Sequence, residues 1–420
     1  MGLAIPQVIT PSKASGAQVI DGSLKFDQGK TQHLTRTPST EGHKRTWTWS
    51  GWVKPAAGAL GDASGSALFA AYSDSNFRDV LRFGGTSTDA IDFQHRRNGT
   101  NYGGYTDAKL RDYGGSGWYH VVLVWNDAAT IYVNGVEQSL SAEAGGLTDA
   151  DNGQINNDRI HYIGARSSSG SAELGWDGQM SQIYFVDGQA LEPTEFGFTD
   201  PLTNTWKPKK AKIPGFNDGT VWSSNSTNFT DPGQGFNGTY ANYAEVSSSA
   251  AKGTFTFPKS IKVENNVTFI FSSSTSGNLF VNDSTTAMQG TSFQIQTISF
   301  SGTLSSISLQ SSSQPVLYYF SVDGSPLIDS VNNNFGLNGF YLPMDGNSPI
   351  GKDQSGNGND WTPVNFGGSV ELDNPQVSGA RPILNTTQGG TQAGVGVFGS
   401  KQNVGYAVTV YNDGGGNKYY

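Results

Sequence analysis

Few side chains in this 420-residue chain are grouped in ways that could do covalent chemistry. There are 5 histidines and no cysteine, which removes thiol nucleophiles, disulfides and cysteine–zinc sites together. His33, His43, His120 and His161 stand singly and give no metal-ligand spacing. His95 has company, in Asp-Phe-Gln-His-Arg-Arg at 92–97. On a strand His95 and Arg97 share one face. A lyase would need such a base beside a guanidinium that neutralises the substrate carboxylate. The competing reading is a solvated, basic edge strand. Glycoside hydrolysis needs two carboxyls, about 5–5.5 Å apart for retention or about 6.5–9.5 Å for inversion. On a strand that means acids at i and i+2. Glu371 and Asp373 have this spacing but lie in an extended tail, and the acids between Glu192 and Asp200 follow a strand rather than forming one. Both groups read as solvated turn acids, and the chain is expected not to be an enzyme.

Two binding chemistries are better represented. The run from Asp353 to Asp360, DQSGNGND, places Asp353, Ser355 and Asn357 at positions 1, 3 and 5 of a calcium loop, with Gly358 at position 6. Position 12 is Val364, where an EF-hand needs a bidentate Glu. A different Ca²⁺ site built on Asp353, Asn357 and Asp360 is one expectation. A turn in which the glycines take positive φ and Asn/Asp cap the backbone is the other. Sugar binding needs aromatic rings for C–H faces and polar groups for hydroxyls. Tyr102, Tyr105, Asp107 and Tyr113 lie in a stretch read as a Gly-rich loop, and Trp176 with Asp177 forms a second candidate. Loops on rigid scaffolds often carry function; the alternative is an aromatic lid over the end of a core.

The elements that must position these residues are strands. RTWTWSGWVKP, from Arg45, alternates strictly, whereas WYHVVLVW, from Trp118, has largely apolar side chains on both faces. The second pattern describes a central strand covered on both sides. Asn134-Gly135 is a tight turn that favours positive φ. Short strands separated by Gly, Asn, Asp and Ser clusters predict an all-β sandwich or jelly roll. The bulk numbers agree: 55 glycines, 12% aromatics and only 15% charged residues, against about 25% in an average globular chain. The net charge of −9 gives no electrostatic footprint for nucleic acid. No apolar run approaches the roughly 18 residues of a membrane span, and the N-terminus has no secretory-signal pattern.

The chain divides into an N-terminal arm, 1–20; a first sandwich, 21–208; an inserted Ser/Thr/Asn-rich β module, 209–335; and a return, 336–368, that completes the first sandwich. An extended Gly-rich segment, 369–400, and the start of a further β element, 401–420, follow. That last element ends inside a return strand, so the chain is expected to continue or to pair with a partner.

WYHVVLVWND at 118–127, IYVNGVE at 131–137 and GQMSQIYFVDGQAL at 178–191 resemble the concanavalin A-like lectin/glucanase sandwich and, within it, the laminin-G-like group. The resemblance implies a concanavalin A-like jelly-roll sandwich, a fold shared by lectins, hydrolases, lyases and inert modules. Hydrolases of that fold carry Glu-x-Asp-x-x-Glu, and its lyases a Gln-x-His motif with separate Arg and Tyr motifs. Neither pattern occurs here. Residues 209–335 resemble a smaller sandwich of galactose-binding, discoidin type. The arm AIPQVITPSKASGAQVIDGSLKFD, the sandwich, the insertion and GFYLPMDGNSPIGKDQSGNGNDWTPVNF together resemble virion structural proteins of marine tailed phages, of tail-fibre or capsid-surface type. That resemblance implies a protein made in the host cytoplasm and carried on the virion. Its arm would dock on other virion proteins, and its lectin-like modules would contact host-surface carbohydrate. A homo-oligomer, a trimer, is implied, with no nucleic-acid partner. The alternatives are a capsid decoration or cement protein without glycan affinity, and a polysaccharide depolymerase.

Overall fold

The computed structural model describes residues 18–56, 66–110, 117–148, 153–167, 169, 171–289, 293–366, 370–371, 410–412 and 417–419. Among them the only helical pieces are short 3-10 turns; everything else regular is strand. The first strands in chain order are β1 (Ser23–Phe26), β2 (His33–Arg36), β3 (Thr46–Pro55), β4 (Ser66–Asp74), β5 (Phe77–Phe83), β6 (Ile91–Arg97), β7 (Thr100–Thr106) and β8 (Tyr119–Asn126). There follow β9 (Ala129–Val133), β10 (Val136–Glu137), β11 (Leu140–Ala142), β12 (Ile160–Ile163), β13 (Arg166–Ser167), β14 (Ala172–Glu173) and β15 (Gly178–Asp187). A hairpin of β16 (Gly197–Asp200) and β17 (Thr205–Pro208) comes next.

These strands pack as two antiparallel sheets. The back sheet runs β10-β9-β8-β3-β15-β1, and the front sheet β11-β7-β6-β5-β4-β12-β2. Between them lies a core that includes Trp47, Trp49, Phe69, Phe93, Tyr119, Leu123 and Trp125. Each such side chain contributes about 1.5–3 kcal/mol on full burial. β8 shows why its sequence is apolar on both faces. Tyr119, Val121, Leu123 and Trp125 point into this core. Val122 and Val124 point the other way, against Tyr184, Leu191 and Ile213. The turn after β9 has Asn134 at φ 53° and Gly135 at φ 79°, the left-handed pair its sequence predicts.

Residues after Pro208 build a second sandwich with its own core around Trp222, Phe236, Phe255, Phe269 and Phe320. One of its sheets has five strands and the other six. The chain then returns. Phe340–Leu342 pairs with the second half of β15, Thr362–Val364 extends the front sheet beside β2, and Val370–Glu371 extends the back sheet beside β1. A bulge at Gln182, φ 53°, lets β15 serve two neighbours on one edge: β1 along its first half and Phe340–Leu342 along its second. Val410–Asn412 and Asn417–Tyr419 pair as a separate hairpin.

The two sandwiches meet at a polar junction. Asp187, buried at the end of β15, accepts hydrogen bonds from His43 N (2.8 Å), Asn156 Nδ2 (2.5 Å) and Asn338 N (3.0 Å). The His43 ring lies edge-on between Tyr240 (4.9 Å) and Tyr319 (5.0 Å) of the second sandwich. A cleft of about 510 Å³ runs beside this junction, and its Arg45–Asp127 pair is already closed by two bonds of 2.7 and 2.5 Å.

Candidate functional site

Period-two alternation in RDVLRF and IDFQHRR puts Arg78, Val80 and Arg82 of β5 on one face with Asp92, Gln94 and Arg96 of β6. That face is the outer surface of the front sheet. Cross-strand pairing continues it: Asp92 faces Tyr105, and Tyr105 faces Ser141. One row therefore reads Ser141–Tyr105–Asp92–Arg82, and another reads Asn101–Arg96–Arg78–Tyr72. Between them Gly103 opposes Gln94. Its φ of +97° and the 2.4 Å approach of a Cβ there to the Phe93 carbonyl oxygen require glycine.

At one end the face holds a buried polar network. Arg82 Nε and Nη2 donate to Asp92 Oδ2 (3.1 and 2.8 Å), and Thr86 N donates to the same oxygen (3.3 Å). Thr86 Oγ1 donates to Glu143 Oε1 (2.6 Å), and Gln94 Nε2 donates to both Thr86 Oγ1 (3.1 Å) and Glu143 Oε1 (2.9 Å). Burial raises the Asp92 carboxyl to about 7 against the pull of Arg82. Beyond this network the face opens. Arg78 and Arg96 lie opposite each other and donate to one acceptor, the Ser75 carbonyl oxygen (3.1 and 3.0 Å). Arg166, on β13, pairs with Glu173 at 3.3 Å. Its guanidinium is lowered to about 10 by burial and by Arg78 and Arg82.

Tyr105 and Asp107 are at this site. Tyr105 is half-buried on the outer face, and Asp107 Oδ1 accepts from Ser141 Oγ (2.6 Å) at its edge. They belong to a strand and its end, not to a loop, because β7 pairs without interruption from Thr100 to Tyr105. Tyr102, three residues from Tyr105, faces the other side, 6.3 Å from the His95 ring and under the Arg97 guanidinium. Tyr113 lies outside the described residues. Trp176 is a correction. It is fully buried in the core and stacked on Phe83 at 5.5 Å, so it cannot present a ring to a sugar. It lies on the opposite side of the front sheet from Tyr105. Asp177 beside it is half-buried, and its carbonyl oxygen accepts from Ala56 N (2.9 Å).

The calcium set is also used otherwise. The carboxyl oxygens of Asp353 accept from Tyr341 N, Ser355 N, Ser355 Oγ and Asn359 N, at 2.8–2.9 Å. Asn357 Nδ2 donates to the Gly336 and Gly339 carbonyl oxygens, and Asn357 Oδ1 accepts from Asn333. Asp360 accepts from Lys352 Nζ and Asp353 N. The oxygens of Asp353 and Asp360 thus already accept from N–H and O–H donors. The geometry is that of a capped turn, with Gly356 at φ +97° and Gly358 at φ +72°.

Two dyads look catalytic, and both are buried. Ser50 Oγ lies 2.8 Å from His120 Nε2, and both are fully buried. Trp206 Nε1 donates to His120 Nδ1 (2.9 Å). An indole N–H can only donate, so Nδ1 is the acceptor and Nε2 carries the proton that Ser50 accepts. This imidazole cannot take a proton from that serine, and burial lowers it to about 3. His95 Nδ1 lies 2.7 Å from Asp79 Oδ1, and His95 packs on Trp125 inside the sandwich. β6 is an interior strand between β5 and β7, not a solvated edge.

Residues 15–195 match the family described as the concanavalin A-like lectin/glucanases superfamily. The first sandwich thus has a concanavalin A-like, laminin-G-like lectin fold within an all-β chain. Solved structures similar to it include the native heptameric SAP-like pentraxin of Limulus polyphemus, 19% identical over 40% of this chain and 76% of that one, with a TM-score of 0.29. The CBM40 of the Ruminococcus gnavus IT-sialidase is 13% identical over 42% of this chain and 95% of that one, TM-score 0.28. Tailspike protein 2 of an Escherichia coli bacteriophage is 11% identical over 43% of this chain, TM-score 0.27, and the match spans only 27% of the tailspike. No curated protein matches the chain. Among the described residues no helix is long and apolar enough to cross a membrane.

Proposed function

We propose that this chain is a virion surface protein of tail-fibre or surface-fibre type that attaches to host-surface carbohydrate through the outer face of its front sheet. The observation that carries the reading is the half-buried Tyr105 ring beside Asp107 and Ser141, continuous with the open row Asn101–Arg96–Arg78–Tyr72. A ring for C–H stacking and fixed polar groups for hydroxyls share one rigid sheet surface. The arm at 1–20 would dock on other virion proteins, and oligomeric copies would add avidity to weak contacts. We read the protein as non-catalytic. Of the carboxyls at this face, Asp92 and Glu143 are buried and held by Arg82, Thr86 and Gln94, which leaves Asp107 at the edge, bonded to Ser141, whereas glycoside hydrolysis needs a carboxyl pair open to the bond.

The test is retention of the purified chain on polysaccharide gels and glycan arrays. Tyr105→Ala is expected to weaken retention roughly tenfold, the loss of one ring contact, with the melting temperature held. Trp176→Ala is expected to lower stability without changing which glycans bind. Release of saccharide from host polymer would overturn the non-catalytic reading. Incorporation into particles with no glycan retention at all would leave decoration as the function.

A further inference from the structure

Arg78 and Arg96 are an anomaly in a chain of net charge −9. Directly opposed like charges on adjacent strands destabilise a sheet, and this pair faces outward in the middle of the front sheet. The partners of both guanidinium groups are neutral: the Ser75 carbonyl oxygen for both and Asn101 Oδ1 for Arg96 (2.8 Å). Neither forms an ion pair among the described residues. Glu173, the carboxylate that acts on Arg78, lies 3.3 Å from Arg166, and its Oε1 is itself buried without a hydrogen-bond partner. Arg78 Nε and Arg166 Nε are both buried N–H donors with no hydrogen-bond partner. Buried donors normally find acceptors, and guanidinium groups are built for planar, two-pronged oxyanions. Burial, together with Arg96 and Arg82, lowers the Arg78 guanidinium from its usual range; a bound anion would reverse that.

Resting on the attachment reading above, we infer that the saccharide held on this face is acidic, and that Arg78, Arg96 and Arg166 receive its carboxylate or sulfate group while Tyr105 receives a ring. The rival basic feature is the connector Lys209, Lys210 and Lys212, which could hold a polyanion without any geometry.

Affinity electrophoresis of the full chain through gels containing polygalacturonate, dextran sulfate or neutral dextran tests this. Retardation by an anionic polymer and not by dextran is expected. Polygalacturonate alone would identify a carboxylate, dextran sulfate alone a sulfate. The double variant Arg78→Gln/Arg96→Gln should lose roughly 10- to 100-fold in affinity, the range of one or two charged hydrogen bonds. Because it relieves a like-charge pair, its melting temperature should hold or rise by about 1 °C. A fall of several degrees would make these arginines structural and overturn the inference. So would loss of retardation in Lys209→Gln/Lys210→Gln/Lys212→Gln with the arginine variant unaffected. Retardation by dextran that depends on Tyr105 but not on the arginines would overturn the acidic ligand and keep the attachment face. No retardation on any polymer would overturn both.

Discussion

On the back sheet the outward groups of β3 and β8 are covered by Trp206 of the β16–β17 hairpin and by Leu191 and Ile213. On the front sheet Val80 is buried with Tyr162 and Ala165 and Asp92 lies under Thr86, while Arg78 and Arg96 stay half-buried. On the back face the polar groups around His120 are matched, while Trp52 Nε1 is buried without a hydrogen-bond partner. Ser50, His120 and Trp206 form one chain of hydrogen bonds, with Trp52 stacked on the imidazole at 4.9 Å. The front face begins with Arg82, Asp92, Gln94 and Glu143 bonded around Thr86, with Asp92 Oδ1 left without a hydrogen-bond partner, and then leaves Arg78 and Arg96 side by side. The same fold thus treats polar side chains in two ways. Where donors and acceptors close on one another they specify packing; at the half-buried Arg78 and Arg96 a partner from outside would complete them.

The sharpest way to break that comparison is Asp92→Ala. It leaves the Arg82 guanidinium in a site with 6% of its surface exposed and without its carboxylate, and should cost about 3–5 kcal/mol in urea unfolding. A loss under about 1 kcal/mol would mean that the network only decorates the sheet. Next in size is Trp206→Ala on the back face. It removes a half-buried ring and strips His120 Nδ1 of its donor, for about 2–3 kcal/mol. Polysaccharide retention should be untouched, since this ring is on the far side of the sandwich. Weakened retention in this variant would move the binding face.

The pH dependence sharpens the contrast. Burial lowers His43 and His120 to about 3, and His161 to about 4. Between pH 6.5 and 4 the unfolded chain takes up protons there that the folded chain refuses. Stability is therefore lost as pH falls, each histidine contributing up to about 1.4 kcal/mol per pH unit. Asp92 works the other way. Raised to about 7, it keeps a proton when folded that it loses near 3.8 when unfolded, so its contribution declines as pH rises through that window. Burial raises Asp187 and Asp329 in the same direction as Asp92, so acid should destabilise the protein where the three histidines outweigh these carboxyls. Asp92→Asn removes one opposing group and should steepen the fall by about 1.4 kcal/mol per unit between pH 6.5 and 5. Parallel slopes for variant and parent in denaturant titrations would show that Asp92 does not titrate in this range.

Much of the fold was legible because alternation is a local signal. β3 could be read residue by residue as an alternating strand, and β8 as a strand covered on both sides. The Asn134-Gly135 turn followed from φ preferences alone. The site was legible only in part. Tyr105 and Asp107 were picked as aromatic and acid in a Gly-rich stretch, but glycine suggested a loop where Gly103 serves a pleated strand. Trp176 was picked because it sits in a short polar segment, and nothing local says that such a segment tucks its indole under Phe83. The arginines were missed although their signal was present. Arg78, Val80, Arg82 and Asp92, Gln94, Arg96 alternate with apolar residues just as Trp47 and Trp49 do with theirs. What one strand cannot show is that two such rows lie opposite each other, because that is set by the register of β5 against β6.

The turn at 353–360 provides the smallest expected effect and the same lesson as the back face. A cation needs several oxygens turned toward one point with no donors among them. Here four N–H and O–H groups already point at Asp353, and Lys352 holds Asp360. Stabilisation by a ligand requires that it bind the folded state, and a cation would first have to displace these donors. Millimolar Ca²⁺ or excess chelator should accordingly shift the melting temperature by less than about 1 °C. Asp353→Ala, by contrast, strands the Tyr341 and Asn359 N–H groups and should cost about 1–3 kcal/mol whether or not Ca²⁺ is present. A rise of several degrees with Ca²⁺ that Asp353→Ala abolishes would mean the turn opens to take the ion, and that closed donor–acceptor sets on this protein can still give way to a ligand.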